Sequence, residues 1–185
     1  MGKKNKGRSK RPTLILEGCD CSGKTTLGRE IQKMWSCKYV HTTQAPKGAD
    51  TLVHFIGSIG NVRQPTIIDR YHWSEEIYAK ILREDSLLDD RDFGVLDGYI
   101  MAYNGIIVHC NPPLHIVLNN IKEDKQGENH NLQTATKVWH EYNKYPRTVL
   151  PIITYDYTQD KVEDLVNKAI ITSEAYYGDY SNYTS

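Results

Sequence analysis

The order of sequence patterns predicts an α/β fold of three layers, a five-stranded parallel sheet with helices on both faces. Three observations carry this expectation. Five short strand-like runs recur along the chain, and between them apolar residues repeat at helical spacing. Four of the five are apolar throughout their centre, as strands covered on both faces are. The first strand passes into a helix through a glycine-rich turn, a step typical of parallel sheets that bind phosphate.

Thr13-Leu14-Ile15-Leu16 is the first strand, and Leu27, Ile31, Met34 and Trp35 mark one face of the helix after it. Lys38-Tyr39-Val40-His41 is a second short strand. Leu52, Phe55, Ile56 and Ile59 define the next helix at i, i+3, i+4 and i+7. Pro65-Thr66-Ile67-Ile68-Asp69 is the third strand. Two helices follow, one around Ser74 to Arg83 and one carrying Phe93, Leu96, Ile100 and Tyr103. Gly105-Ile106-Ile107-Val108-His109 is the fourth strand, and Pro112-Pro113 opens a helix bearing Leu114, Val117, Leu118 and Ile121. The run from Glu123 to His130 has no apolar residue and reads as an exposed loop. A helix through Ala135, Val138, Trp139 and Tyr142 leads to the fifth strand, Pro151-Ile152-Ile153-Thr154-Tyr155. Val162, Leu165, Val166 and Ala169 define the last helix.

A length of 185 residues suits one domain with a real core. We expect a basic tail over 1–11, one α/β domain over 12–171 and a polar, tyrosine-rich tail over 172–185. The net charge of zero hides an asymmetry. Six of the 23 basic residues lie in the first eleven positions, leaving 17 against 23 acidic residues and a net charge of −6 for the rest. Such an arm is either a solubilising extension or a contact for nucleic acid. No apolar run is long enough to span a bilayer, no secretory segment opens the chain, and Lys6 breaks the myristoylation pattern. The four cysteines show neither zinc-ligand spacing nor a disulfide framework, so a reducing cytoplasm is expected. Cys19 and Cys21 stand beside a helix N-terminus, where a thiol pKa can fall, so redox sensing is weighed there against two inert small side chains. His54, His115 and His140 fall in helical patterns with no metal-ligand context.

The chemistry starts at Gly18-Cys19-Asp20-Cys21-Ser22-Gly23-Lys24-Thr25, which satisfies G-x-x-x-x-G-K-[ST] at every defined position. Backbone N–H groups of such a loop, with Thr26 opening the helix, converge on the phosphates of a nucleoside triphosphate such as ATP. Lys24 reaches the β- and γ-phosphates, and the Thr25 hydroxyl ligates Mg²⁺. Ligands of parallel sheets bind beyond the strands' carboxyl ends, where Gly18, Thr42–Gln44, Asp69-Arg70 and Cys110-Asn111 all stand. There Asp69 can hold Mg²⁺ or receive a proton, and Arg70 can present its planar fork to a phosphate.

These motifs resemble those of the thymidylate kinases. Leu16-Glu17-Gly18-Cys19-Asp20 and the rest of the loop, Asp69-Arg70-Tyr71 with Ser74 and Tyr78, Thr43-Gln44-Ala45-Pro46, and Cys110-Asn111-Pro112-Pro113 follow that family's order over Pro12 to Ile171. Ile68-Asp69-Arg70-Tyr71-His72-Trp73-Ser74-Glu75 is similar to the small phage proteins of this kind, some of which phosphorylate 5-hydroxymethyluracil inside DNA. The resemblance implies a nucleoside-monophosphate-kinase-like fold using ATP and Mg²⁺, in the host cytoplasm if phage-encoded, and compatible with a homodimer. It implies Lys24, Asp20, Asp69 and Arg70 as catalytic residues and Gln44, Arg70 and Tyr71 as acceptor contacts, with Tyr71 stacking on the acceptor base. His72 and Trp73 border that base or belong to the core.

Three departures concern the acceptor. Gln44 replaces the arginine that clamps an acceptor monophosphate in thymidylate kinases. Cys21 stands where one class places a catalytic arginine, and the expected lid carries Lys125 but no arginine. A transition-state arginine is worth about 10³–10⁵ in rate, so its loss at both places has consequences. Arg70, Arg83 and Arg91 are the available substitutes. Two acceptors therefore stay open, 5-hydroxymethyl-deoxyuridine in DNA and a free deoxynucleoside monophosphate such as dTMP. A switch that binds ATP without transferring phosphate is the third reading.

Overall fold

The computed structural model describes residues 11–60, 65–83, 88–124, 131–144 and 147–178. The expected lid beyond Asp124, the basic arm up to Lys10 and the last seven residues lie outside them. In chain order the elements are β1 (Thr13–Glu17), α1 (Lys24–Trp35), β2 (Lys38–His41), α2 (Thr51–Ile59), β3 (Thr66–Asp69), α3 (His72–Leu82) and α4 (Asp90–Met101). They continue with β4 (Gly105–Cys110), α5 (Leu114–Glu123), α6 (Leu132–Tyr142), β5 (Ile152–Tyr155) and α7 (Val162–Tyr177). All five expected strands are present, each within a residue or two of its expected limits.

The sheet is parallel throughout, in the order β2-β3-β1-β4-β5. Alternation along the strands separates two cores. Ile15, Ile68 and Ile107 face a layer with Phe55, Leu96, Val117 and Val138, contributed by α2, α4, α5 and α6. Leu14, Leu16, Ile67, Ile106 and Val108 face the other layer, where Leu27 and Ile31 of α1 meet Leu165, Val166 and Ala169 of α7. β1 is flanked by β3 on one side and β4 on the other, so the chain reverses its direction of travel across the sheet there. A crevice opens outside the carboxyl ends at such a switch point. Polar residues are buried at that edge: Glu17, Lys24, Asp69 and His109.

Three local expectations change. Met34 is 44% exposed, because the helical stripe of α1 rotates off the sheet before the helix ends at Ser36. Tyr103 lies in the turn after α4 rather than on its face. α7 runs to Tyr177, six residues past the expected end of the domain at Ile171. Its last turn is anchored by hydrogen bonds, Tyr176 OH donating to Val149 O at 2.8 Å and Tyr177 OH to Gly105 O at 2.7 Å. A tyrosine supplies both apolar area and a hydroxyl, so a stretch without apolar period can still dock. Of the basic block, Arg11 is held against the body by a 2.7 Å bond from its guanidinium to Trp35 O.

Candidate active site

The donor end is built by backbone shape. Gly18 has φ +148°, and a Cβ there would lie 2.4 Å from Cys110 O, so the loop passes over β4 only as glycine. Cys21 and Gly23 are also left-handed, with φ of 58° and 86°. Gly23 is the N-cap of α1 and no side chain caps that helix, which leaves its first-turn N–H groups for an anion. Lys24 is buried, and its Nζ donates to Gly18 O at 2.8 Å and Cys19 O at 2.5 Å. Burial and the nearby Arg70 charge lower its pKa, so an arriving anion would relieve a strained ammonium.

Beside it, Thr25 Oγ1 donates to Asp69 Oδ2 at 2.7 Å, Tyr39 OH donates to the same oxygen at 2.5 Å, and His41 Nδ1 lies 3.3 Å away. Burial alone would raise the Asp69 pKa, but the Tyr39 and Thr25 hydrogen bonds and the Lys24 charge hold it below the usual carboxylate range. Asp69 Oδ1 is buried and has no hydrogen-bond partner among the described residues. An ionised carboxylate with one oxygen unbonded, next to a threonine hydroxyl, fits a hard oxygen-seeking cation such as Mg²⁺. Among the described residues, no group of three or more His, Cys, Asp or Glu is placed to hold a metal ion.

A cavity of about 500 Å³ opens next to this loop, with Asp20, Gln44, Arg70, Tyr71, Glu75 and Arg83 in its wall. Arg70 is left-handed at φ 70° and donates its N–H to Leu16 O at 3.0 Å. That conformation is uncommon for a residue with a Cβ, and here it turns the guanidinium onto Asp20. Tyr78 braces the pair: its ring lies 5.1 Å from the Arg70 guanidinium and its hydroxyl donates to Asp20 Oδ2 at 2.9 Å. Burial pushes the Asp20 pKa up, yet Arg70, Lys24 and the Tyr78 bond bring it below the usual range. A second ion pair joins Arg83 to the buried Glu75. The turn that carries Arg70 is tied to β1 by Glu17, which is wholly buried and accepts from Tyr71 N at 2.9 Å, Ser74 N at 3.2 Å, Tyr142 OH at 3.2 Å and the Ser74 hydroxyl.

Gly18 through Thr26, Asp69 and Arg70 thus meet at one sheet edge, as the motifs require. Asp20 reaches across to Tyr78 of α3 and to Arg70. Asp20 and Asp69 face different sides, one lining the cavity and the other turned to Thr25 and Tyr39. Gln44 lies at the cavity rim, where it is exposed. Tyr71 needs correction as a stacking platform. It is 0% exposed, edge-on to Phe55 with ring centres 5.4 Å apart, and its buried hydroxyl has no hydrogen-bond partner among the described residues. It continues the buried face of β3, so only part of the ring forms cavity wall. His72 and Trp73 are core residues: His72 Nε2 lies 2.8 Å from Asp97 Oδ1, and Trp73 packs on Tyr142 and His109. The loop thiols do not have lowered pKa values. Burial pushes Cys19 up to about 11 and raises Cys21 as well. Of the substitute arginines, Arg83 is in the cavity wall and Arg91 is exposed on α4.

Several participants escaped the motif reading. Tyr39 and His41 converge on Asp69 from β2, and Glu75 is the hidden partner of Arg83. Tyr157, just beyond β5, packs its ring where a Cβ on Gly23 would come within 3.0 Å. Its hydroxyl accepts from Asn120 Nδ2 at 2.7 Å, and the same amide donates to Cys21 O at 3.1 Å. The carboxyl-end rule that selects Gly18 and Asp69 selects Tyr157 too once it is extended to β5. Glu17 also had a signal, a charge closing an otherwise apolar strand.

No family model matches the chain. One relative in sequence is the SPbeta prophage-derived uncharacterized protein YorR of Bacillus subtilis (strain 168), 23% identical over 132 residues, which are 69% of this chain and 79% of YorR. The crystal structure of YorR in complex with phosphorylated GDP matches with a TM-score of 0.72 at 20% identity, covering 88% of this chain and 95% of that one. Deoxyadenosine kinase from M. mycoides with bound dATP matches at 0.56 and 17% identity, over 84% of this chain and 98% of its own. A gluconokinase from Sinorhizobium meliloti 1021 matches at 0.57 and 11%, over 96% and 100%. At these identities the likeness establishes the fold alone, an α/β fold shared with YorR, the deoxyadenosine kinase and the gluconokinase.

Proposed function

We propose that this chain is a P-loop kinase that transfers the γ-phosphate of ATP to the hydroxymethyl group of 5-hydroxymethyl-deoxyuridine in DNA. The observation that carries the choice of acceptor is the charge state of the cavity. Both guanidiniums in its wall already have carboxylate partners, Arg70 with Asp20 and Arg83 with Glu75, and Gln44 offers a neutral amide. A free monophosphate would have to displace a carboxylate, and leaving a buried carboxylate such as Glu75 without its guanidinium costs about 3–5 kcal/mol. A neutral hydroxyl needs no such exchange. The cavity volume of about 500 Å³ is also in the range of small-molecule sites and fits a nucleotide turned out of its strand.

In the reaction the acceptor oxygen attacks the γ-phosphorus, the bond to the β,γ-bridging oxygen breaks, and ADP leaves. Asp20 orients the acceptor hydroxyl and takes its proton. Its low pKa makes it a weak base, which suits phosphoryl transfer, where the hydroxyl proton leaves late. The loop backbone and Lys24 hold the donor phosphates. Thr25 and Asp69 are the residues that would hold Mg²⁺, which would supply positive charge for the donor phosphates. Arg70 stays paired with Asp20 and offers its remaining N–H groups to the transferring group.

Thymidylate kinase activity is the second reading. It is favoured by Arg83, which puts a second guanidinium in the cavity wall and can stand in for the arginine absent at Gln44. Incubation with γ-labelled ATP and a panel of free nucleotides and modified DNAs separates the readings. Label on the base of 5-hydroxymethyluracil DNA, absent from 5′ ends, is the expected result. Labelled dTDP with no label in DNA would replace this reading with the second. ATP binding without transfer to any acceptor would leave the non-catalytic switch.

A further inference from the structure

We propose that the groove between α3 and α6 binds the phosphodiester backbone of the strand whose nucleotide enters the cavity. This proposal rests on the DNA-acceptor reading above. The groove, about 490 Å³, is lined by Lys80, Lys137, His140 and Lys144 around the single carboxylate of Glu141, with Ile81 as an apolar patch. Lys80 and Lys144 both bond Glu141, so one acid serves two ammonium groups while Lys137 adds a third positive charge. The excess is notable on a chain that carries a net −6 outside its first eleven residues.

Exposure indicates that these lysines are exchangeable. Lys80 and Lys144 are 61% and 65% exposed in their side chains, against 15% for Glu141. Exposed pairs of this kind contribute little to stability, so a phosphate can take the place of the carboxylate at little cost. The Lys144 and Lys80 bonds hold the Glu141 pKa below the usual range, so the carboxylate is ionised at neutral pH and acts as a standing competitor for the groove.

Position links the groove to the cavity. One side of α3 contributes Glu75, Tyr78 and Leu82 to the cavity wall, and the same helix contributes Lys80 and Ile81 to the groove. The two openings are separated by one helix, about 10–12 Å across. A strand that rises about 3.4 Å per nucleotide crosses that width in about three nucleotides. A base seated in the cavity thus brings phosphates a few nucleotides away over the lysines.

The test uses fluorescence anisotropy of the full chain with a labelled single-stranded oligonucleotide of unmodified bases, so binding is read without transfer. The basic first residues are common to every variant and cancel. Three phosphate contacts on a single strand contribute a log–log salt slope of about −2, or about 20-fold in affinity between about 50 and 200 mM salt. The triple variant Lys80→Ala, Lys137→Ala, Lys144→Ala should lose that slope while retaining its melting temperature and ATP affinity. Glu141→Gln should act in the opposite direction and tighten oligonucleotide binding severalfold. Unchanged slope in the triple variant, or equal competition by polyglutamate that would mark an acidic protein partner, overturns the proposal. If the triple variant still labels 5-hydroxymethyluracil DNA with unchanged KM, the groove is wrong while the kinase reading stands. Groove-dependent binding with no label in any DNA would instead sink the acceptor assignment and leave a nucleic-acid groove on a different enzyme.

Discussion

In the proposed kinase the donor and acceptor halves of the site adjoin and are built by opposite means. The donor half is backbone: left-handed Gly18, Cys21 and Gly23 shape a loop, and Lys24 rests on the carbonyls of that same loop. The acceptor half is made of side chains from separate elements, paired before any ligand arrives, with Asp20 on Arg70 and Glu75 on Arg83. A backbone cradle binds any polyphosphate of the right shape, whereas matched ion pairs reject a bare charge and admit groups that hydrogen-bond. Generality therefore belongs to the donor half and discrimination to the acceptor half.

The largest effect should come from the donor half. Lys24→Ala is expected to cut transfer by about 10²–10³ or more with the fold intact, because a charge is lost and no apolar packing. Near-normal turnover would show that this loop is not the catalytic one. Asp20→Asn keeps the shape of the acceptor half but frees Arg70 and removes the base. It should lower kcat by about 10² with ATP affinity nearly unchanged, and a loss confined to the KM for ATP would move Asp20 into the donor half. Gln44→Arg should blur the division by adding an unpaired guanidinium. Use of free monophosphate is expected to rise about tenfold relative to DNA, the worth of one charge-assisted bond.

The last effect is on stability rather than turnover and concerns a buried histidine at the end of β4. His109 is buried beside Trp73 and Tyr142, its Nε2 has no hydrogen-bond partner among the described residues, and burial together with the Lys24 charge lowers its pKa to about 4. An unfolded chain binds that proton near pH 6.5, so the unfolded state gains it first as pH falls. Stability should be full above about pH 6.5 and decline toward pH 4, by up to about 3 kcal/mol. Urea melts of His109→Gln across this range should show a flatter profile; an identical slope would mean that other groups dominate.

The same contrast decides what could be read from the sequence. The donor loop is contiguous, so a pattern of eight residues locates it, and strand periodicity gives the sheet that carries it. Arg70 and Asp20 were visible as residue types at strand ends, but their pairing spans 50 positions and has no periodic signature. Glu75 and Arg83 are eight apart, about 12 Å along an ideal helix, and they meet only because Arg83 lies past the end of α3 and its long side chain turns back. Tyr71 looked like a stacking surface because sequence does not reveal which face of a strand end continues into the core. The tyrosines at 176 and 177 looked like tail because docking by hydroxyl leaves no hydrophobic period.

Gly18 has one more implication, for how such a protein can change over generations. Its backbone passes so close to Cys110 O that a single methyl group collides with the sheet. The residue with the least chemistry is thus the one with the least freedom, and selection for a new phosphate donor has no route through it. Variation must enter where the loop is held by side chains, at Tyr157 and Asn120, whose amide grips Cys21 O. A library randomised at those two positions should yield altered donor preference, while one randomised at Gly18 should yield only the parent.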